Sequence, residues 1–158
     1  MISRGLLFFL LFFLTSCAPP HRRPAVFPEG ESVQLFYDVS DLSPVPADTK
    51  WHRFAIRAGP RLNADQRRRL ESAISFRPVD PSEEFAACFV PHHFFRYFDS
   101  SGNETGSVAI CFCCGGAKLS SDGPGWGGKE TDEVDWDKIS TIVTELGVPT
   151  NLGCGDAT

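Results

Sequence analysis

The sequence predicts a small α+β domain, an antiparallel sheet of about three to five strands around one central β-hairpin with two helices on one face. Three observations predict it. First, Phe94-Phe95-Arg96-Tyr97-Phe98 and the run Gly106 to Cys113 are rich in β-formers and flank the turn-rich stretch Asp99 to Thr105. That pattern is a hairpin, with strands over about 92–99 and 106–114. Second, Trp136, Ile139, Ile142, Val143 and Leu146 recur at helical spacing behind Asp135, a residue type that caps helices. Gly147 suits a left-handed C-terminal position and Pro149 blocks continuation, so a helix spans about 135–147. Third, Asn63 and Gln66 form a capping-box pattern ahead of Leu70, Ala73 and Ile74. Pro78 and Pro81 end that helix, which spans about 63–76.

The remaining elements follow in chain order. From Ala18 to about Pro46 six prolines punctuate the chain: Pro19, Pro20, Pro24, Pro28, Pro44 and Pro46. Each fixes φ and removes a backbone donor, so residues 17–49 read as a semi-rigid tether. Within it, Val33 to Val39 has the composition of an edge strand. The folded domain is expected over 50–158. Trp51 to Arg57 roughly alternates apolar and polar side chains, which predicts a half-buried strand ended by Gly59-Pro60. The basic run Arg67-Arg68-Arg69 reads as the wet side of the first helix, and Phe85 to Val90 as a short strand or buried turn. Gly115-Gly116 and Gly123 to Gly128 read as a flexible loop. The glycines lack the Lys-Ser/Thr ending of a phosphate-binding loop.

The N-terminus carries a different signal. Arg4 precedes an uninterrupted Leu/Phe run from Leu6 to Leu14. This is the plan of an export leader, and it is shorter than the roughly 20 residues a transmembrane helix needs. Leu14-Thr15-Ser16-Cys17 resembles the bacterial lipobox. The resemblance implies that residues 1–16 are a signal peptide, cut before Cys17, and that Cys17 is lipidated, carrying palmitate-type chains. Such chains contribute about 0.8 kcal/mol per buried methylene, so several make a stable anchor. Ala18 behind the cysteine implies an outer-membrane destination facing the periplasm. Two alternatives are an ordinary signal cut after Ala18, which Pro19 disfavours, and an uncleaved anchor. With 15 basic and 20 acidic residues the chain is acidic. It has no clustered cationic surface for nucleic acid, and none is expected as a partner. The expected partners are the bilayer, through acylated Cys17, and an unidentified envelope protein.

Beyond Cys17 there are five cysteines: Cys88, Cys111, Cys113, Cys114 and Cys154. Export would place them where disulfides persist. Five is odd, so one is expected to be free, bound, or paired between molecules. Folding the hairpin about Gly102 sets Phe94 beside Cys111 and His92 beside Cys113, and a one-residue slip brings His93 to Cys111. The cluster Cys88, His92, His93, Cys111, Cys113 and Cys114 therefore admits four readings. These are disulfides that staple the domain, buried inert thiols, a Zn or Cu(I) site of thiolate and imidazole, and a nucleophilic Cys–His pair. Strand parity puts Cys111 and Cys113 on one face and Cys114 on the other, so joining Cys111 to Cys114 requires a bulge or the end of the strand.

From Trp51 to Leu152 the chain also resembles a family of uncharacterised bacterial proteins. The resemblance rests on Cys88-Phe89-Val90-Pro91-His92-His93, on Ile110-Cys111-Phe112-Cys113-Cys114, and on Leu146-Gly147-Val148-Pro149. The family patterns are C-F-x-P-R-H-G and I-C-F-x-C; here His92 replaces the Arg and Phe94 the Gly. The resemblance implies that Cys88, His93, Cys111 and Cys114 are the shared residues, with Cys113 an addition, and it carries no activity. The resulting expectation is a membrane-anchored envelope lipoprotein acting as a non-enzymatic binding or structural module. The alternative is a metal-binding or thiol-redox lipoprotein using the Cys–His cluster, and a third reading is a Cys-dependent enzyme.

Overall fold

A computed structural model of the chain describes residues 23–39, 56–78, 80, 89–120 and 130–154. The strands are β1 (Arg23–Pro24), β2 (Ser32–Asp38), β3 (Ile56–Arg61), β4 (Ile74–Pro78), β5 (His93–Phe98), β6 (Glu104–Cys111), β7 (Gly116–Ser120) and β8 (Glu130–Val134). The helices are α1 (Ala64–Ser72) and α2 (Trp136–Glu145). They form an α+β fold with two antiparallel sheets, one of five strands in the order β3-β2-β5-β6-β7 and one of three in the order β1-β4-β8.

The larger sheet sorts its side chains by parity, as period-two backbone must. Leu35 pairs with Phe95, Phe95 with Val108, and Val108 with Leu119. Together with Val33, Tyr97, Ile110 and Ala117 these side chains make one face of the core. Leu70, Ala73, Ile74, Ile139, Ile142 and Val143 close over that face from the helices and β4. Both helices thus lie on one side of the five-stranded sheet, as expected. The opposite face presents Phe36, Phe94 and Arg96, the guanidinium of Arg96 lying 4.5 Å from the centre of the Phe36 ring.

The helix ends obey local chemistry. The Asn63 side chain accepts from the Gln66 N–H at 2.9 Å and the Gln66 side chain accepts from the Asn63 N–H at 3.0 Å, a complete capping box. Asp135 accepts from the Lys138 N–H at 3.1 Å, and Gly147 takes φ of 72° just beyond α2. α1 stops at Ser72 rather than near Phe76, because Ile74 to Pro78 leave the helix and pair with Glu130 to Val134. A proline two turns on does not decide the helix end; the strand partner does.

Several other boundaries move. Ser32–Asp38 is an inner strand of the larger sheet, paired to β3 and β5, not the edge of a tether. The folded part accordingly includes residues 23–39 and does not begin at 50. Residues 17–22 and 40–49 of the expected tether lie outside the described residues, as do 51–55, most of 79–88 and 121–129. Gly59 and Pro60 sit inside β3 instead of ending a strand before it. β3 is an edge strand, where a missing N–H is tolerated. Gly59 lies so near β2 that a Cβ there would come within 2.9 Å of the Leu35 carbonyl oxygen. Gly116 likewise opens β7 and is not part of a loop. The arginine run is wet only at Arg68. Arg67 donates to the Gly30 carbonyl at 2.7 Å and stands over the Tyr97 ring, and Arg69 bridges to Glu145 of α2 at 2.5 Å.

Candidate functional site

The hairpin positions the site. β5 and β6 pair from His93↔Ile110 through Phe95↔Val108, a register two residues away from the one expected about Gly102. A two-residue displacement preserves faces, so the sidedness of each residue survives while its neighbours change. Beyond the ladder the His92 N–H donates to the Ile110 carbonyl at 3.2 Å, and the Asp38 N–H donates to the His92 carbonyl at 2.9 Å. Cys111, the last residue of β6, pairs with Gly116. Asp38, His92, Cys111 and Gly116 therefore form one row across four strands, on the face away from the helices.

His92 and His93, adjacent in sequence, point to opposite faces and meet different surroundings. The His92 Nδ1 donates to the Asp38 carboxylate at 3.1 Å, and the Asp38 side chain has no exposed surface. The other edge of the His92 ring lies against Gly153, so close that any Cβ there would collide with it. Gly153 also has φ of 69°, a conformation that favours glycine. His93 is fully buried on the core side. Its Nε2 donates to the Pro149 carbonyl at 2.7 Å, and the Phe112 ring meets it edge-on with centroids 5.0 Å apart. A carbonyl only accepts, so the neutral ring carries its proton on Nε2. Nδ1 has no partner among the described residues.

Burial holds the His93 pKa below the ordinary histidine value; the Pro149 carbonyl opposes this, and His92 adds a smaller lowering effect. The unfolded chain, with histidine near about 6.5, then binds a proton that the native state refuses. Stability therefore rises with pH across the interval between the depressed native pKa and about 6.5, and is lost as pH falls through it. We expect urea midpoints to drop from pH 7 to pH 5.5, with a slope of up to about 1.4 kcal/mol per pH unit from this group. His93→Gln should flatten that dependence, and an unchanged slope in a folded variant would refute the assignment.

All four described cysteines are paired. Cys111 bonds to Cys114 and Cys113 bonds to Cys154. β6 ends at Cys111 and the chain turns through Phe112, Cys113 and Cys114, with Gly115 at φ of 60°. Ending the strand there is what lets Cys111 meet Cys114, which strand parity alone forbids. The Cys114 N–H donates to Cys111 Sγ at 3.2 Å. Phe89 covers the turn: a Cβ on Gly116 would fall 2.9 Å from its ring and 3.8 Å from Cys114 Sγ. The second bond fastens the segment after α2, whose Val148 and Leu152 enter the core. By chain entropy, the sequence separation of 41 makes Cys113–Cys154 worth about 4 kcal/mol, against about 2 kcal/mol for the separation of 3 at Cys111–Cys114.

Of the residues the sequence singled out, the structure brings His92, His93, Cys111, Cys113 and Cys114 to one end of the hairpin. Cys17 and Cys88 lie outside the described residues. Sequence reasoning missed Asp38 and the role of Cys154. Asp38 had one signal, a carboxylate inside an otherwise β-forming run; Cys154 had none beyond its being a cysteine. No group of three or more His, Cys, Asp or Glu arranged to hold a metal occurs among the described residues. A Zn or Cu(I) site, one of the four readings of the cluster, would need these bonds opened, since the ligand is the thiolate. No described helix is long and apolar enough to cross a membrane. Comparison of the chain with protein-family models, curated proteins and solved structures found no match.

Proposed function

We propose that the protein is an exported lipoprotein of the bacterial envelope, anchored through acylated Cys17 and acting as a non-enzymatic binding or structural module. The observation that carries this reading is the pairing of Cys111 with Cys114 and Cys113 with Cys154. Two disulfides in so short a chain persist where thiols are not kept reduced. That compartment is the one to which a leader ending Leu14-Thr15-Ser16-Cys17 would deliver the chain. The domain then stands at the membrane, facing the periplasm, and its partner is a protein of the envelope. With both pairs closed, none of these four sulfurs rests as the free thiolate that a Cys–His nucleophile of hydrolytic type needs, which weighs for a binding or structural module over a Cys-dependent hydrolase.

The test is metabolic labelling with palmitate in a bacterial host, followed by fractionation. Label should enter the wild-type chain and fractionate with outer membranes. Cys17→Ser should take up no label and keep its leader. Label absent from the wild type, or processing unchanged in Cys17→Ser, would overturn the anchor.

A further inference from the structure

The two disulfides differ in ways that point to different duties. Cys113–Cys154 spans a sequence separation of 41 and ties the segment after α2 to the hairpin. Opening it returns to the unfolded chain a large loop's worth of freedom. Cys111–Cys114 has the C-x-x-C spacing and closes only its own turn, at the mouth of a ladder that is independently hydrogen-bonded. Opening it removes little restraint from the unfolded chain. Its two residues are also unequal: Cys111 is 3% exposed, whereas Cys114 is only half-buried. The Cys114 N–H already points at Cys111 Sγ at 3.2 Å, a donor placed to hold negative charge on that sulfur. Short C-x-x-C turns with such donors favour thiolate.

We propose that Cys111–Cys114 is a redox-active disulfide that exchanges with a dithiol on a partner protein, while Cys113–Cys154 stays closed as the structural bond. A partner thiolate attacks Sγ of Cys114, the more exposed residue of this pair. A new S–S bond forms between partner and Cys114, the Cys111–Cys114 bond breaks, and its electron pair departs on Cys111 Sγ under the Cys114 N–H. The partner's second thiolate then attacks its own first sulfur in the mixed disulfide, and Cys114 leaves as thiolate. The partner dithiol is oxidised by two electrons to a disulfide. Cys111 and Cys114 are reduced to thiols, taking up the two protons the partner released to solvent. The exchange is reversible, so the partner's potential sets its direction. The proposal goes beyond the anchored-module reading and does not depend on Cys17 being acylated.

The experiment uses the full chain equilibrated with dithiothreitol at a graded ratio of reduced to oxidised form, quenched with a maleimide and mapped by mass spectrometry. Cys111 and Cys114 should become labelled together, at a ratio at least about tenfold less reducing than Cys113 and Cys154 require. Near-ultraviolet circular dichroism should stay native at that point. Because Cys113 and Cys154 are both exposed, the order of opening is decisive. If Cys113–Cys154 opens first, or all four sulfurs are labelled only as the native signal is lost, the proposal is overturned. In a second arm, Cys111→Ser is offered oxidised glutathione. An adduct on Cys114 is expected, and a folded variant that forms none would overturn the assignment of the attacked sulfur. Should that variant fail to fold, the wild-type order of opening still decides the matter.

Discussion

Replacing Cys113 and Cys154 together by Ser is expected to cost the domain about 4 kcal/mol, and to lower its melting temperature by on the order of 10 °C. The bond joins the turn after β6 to the segment that follows α2 across a separation of 41 residues. The large separation makes the loop-closure contribution large, because a cross-link acts mainly by restricting the unfolded chain. The native state loses little strain-free contact by the change, since Val148 and Leu152 still fit the core and the Pro149 carbonyl still accepts from His93. The loss should therefore appear in the unfolded state, as a larger denaturant dependence as well as a lower midpoint. Replacing Cys111 and Cys114 together should cost about half as much by the same relation. Both pairs are best changed as pairs, so that neither bond leaves one of its own sulfurs behind as an orphan thiol. Urea and thermal unfolding of the three proteins measure this directly. Equal losses from the two pairs, or none from Cys113 and Cys154, would mean that the bonds do not restrain the chain as the fold places them.

Phe95→Ala should cost about 3–5 kcal/mol, the range for emptying a fully buried aromatic site. Phe95 has no exposed surface and stands between Leu35 and Val108 in the central strand of the five-stranded sheet. Its neighbours are held by ladder hydrogen bonds on both sides, so they cannot collapse far into the space it leaves. The neighbouring Phe94 gives the matching control. It is only half-buried, on the face away from the helices, opposite Phe36 and Ala109. Phe94→Ala should therefore cost less than about 2 kcal/mol, chiefly lost apolar contact. Equilibrium urea unfolding gives both values. The reverse order would place the hairpin one residue out of register, since a single step exchanges the two faces of every strand.

Parts of this architecture are legible in the chain for physical reasons that are local. The capping box at Asn63 and Gln66, the Asp135 cap and the Gly147 stop depend on residues within one helical turn of one another. The hairpin is legible because its turn, Asp99 to Asn103, is written in residues that bond their own backbone. Asp99 accepts from the Asn103 side-chain amide and from the Asn103 and Ser101 N–H groups, which also holds its carboxyl below the usual range. The site is half legible by the same standard. Proximity of His92, His93 and the Cys111–Cys114 stretch follows from the hairpin alone. Which sulfur meets which does not, because it depends on where β6 stops and where a segment some forty residues later returns.

By itself the sequence determined the α+β class, both helices with their caps, the central hairpin and the gathering of histidines and cysteines at one end of it. Each of these rests on interactions between residues near in the chain, or on a periodicity that holds whatever the partner is. Tertiary structure alone decided that Ser32–Asp38 lies inside the sheet, that Ile74–Pro78 leaves the helix for a strand, that Gly116 opens another, and that Cys113 finds Cys154. A strand is completed by hydrogen bonds to a partner distant in sequence, and a disulfide by two Cα atoms brought to about 5 Å, here 5.1 Å and 5.5 Å. Neither condition exists until the chain has folded, and so neither is written in the neighbourhood of the residues that satisfy it.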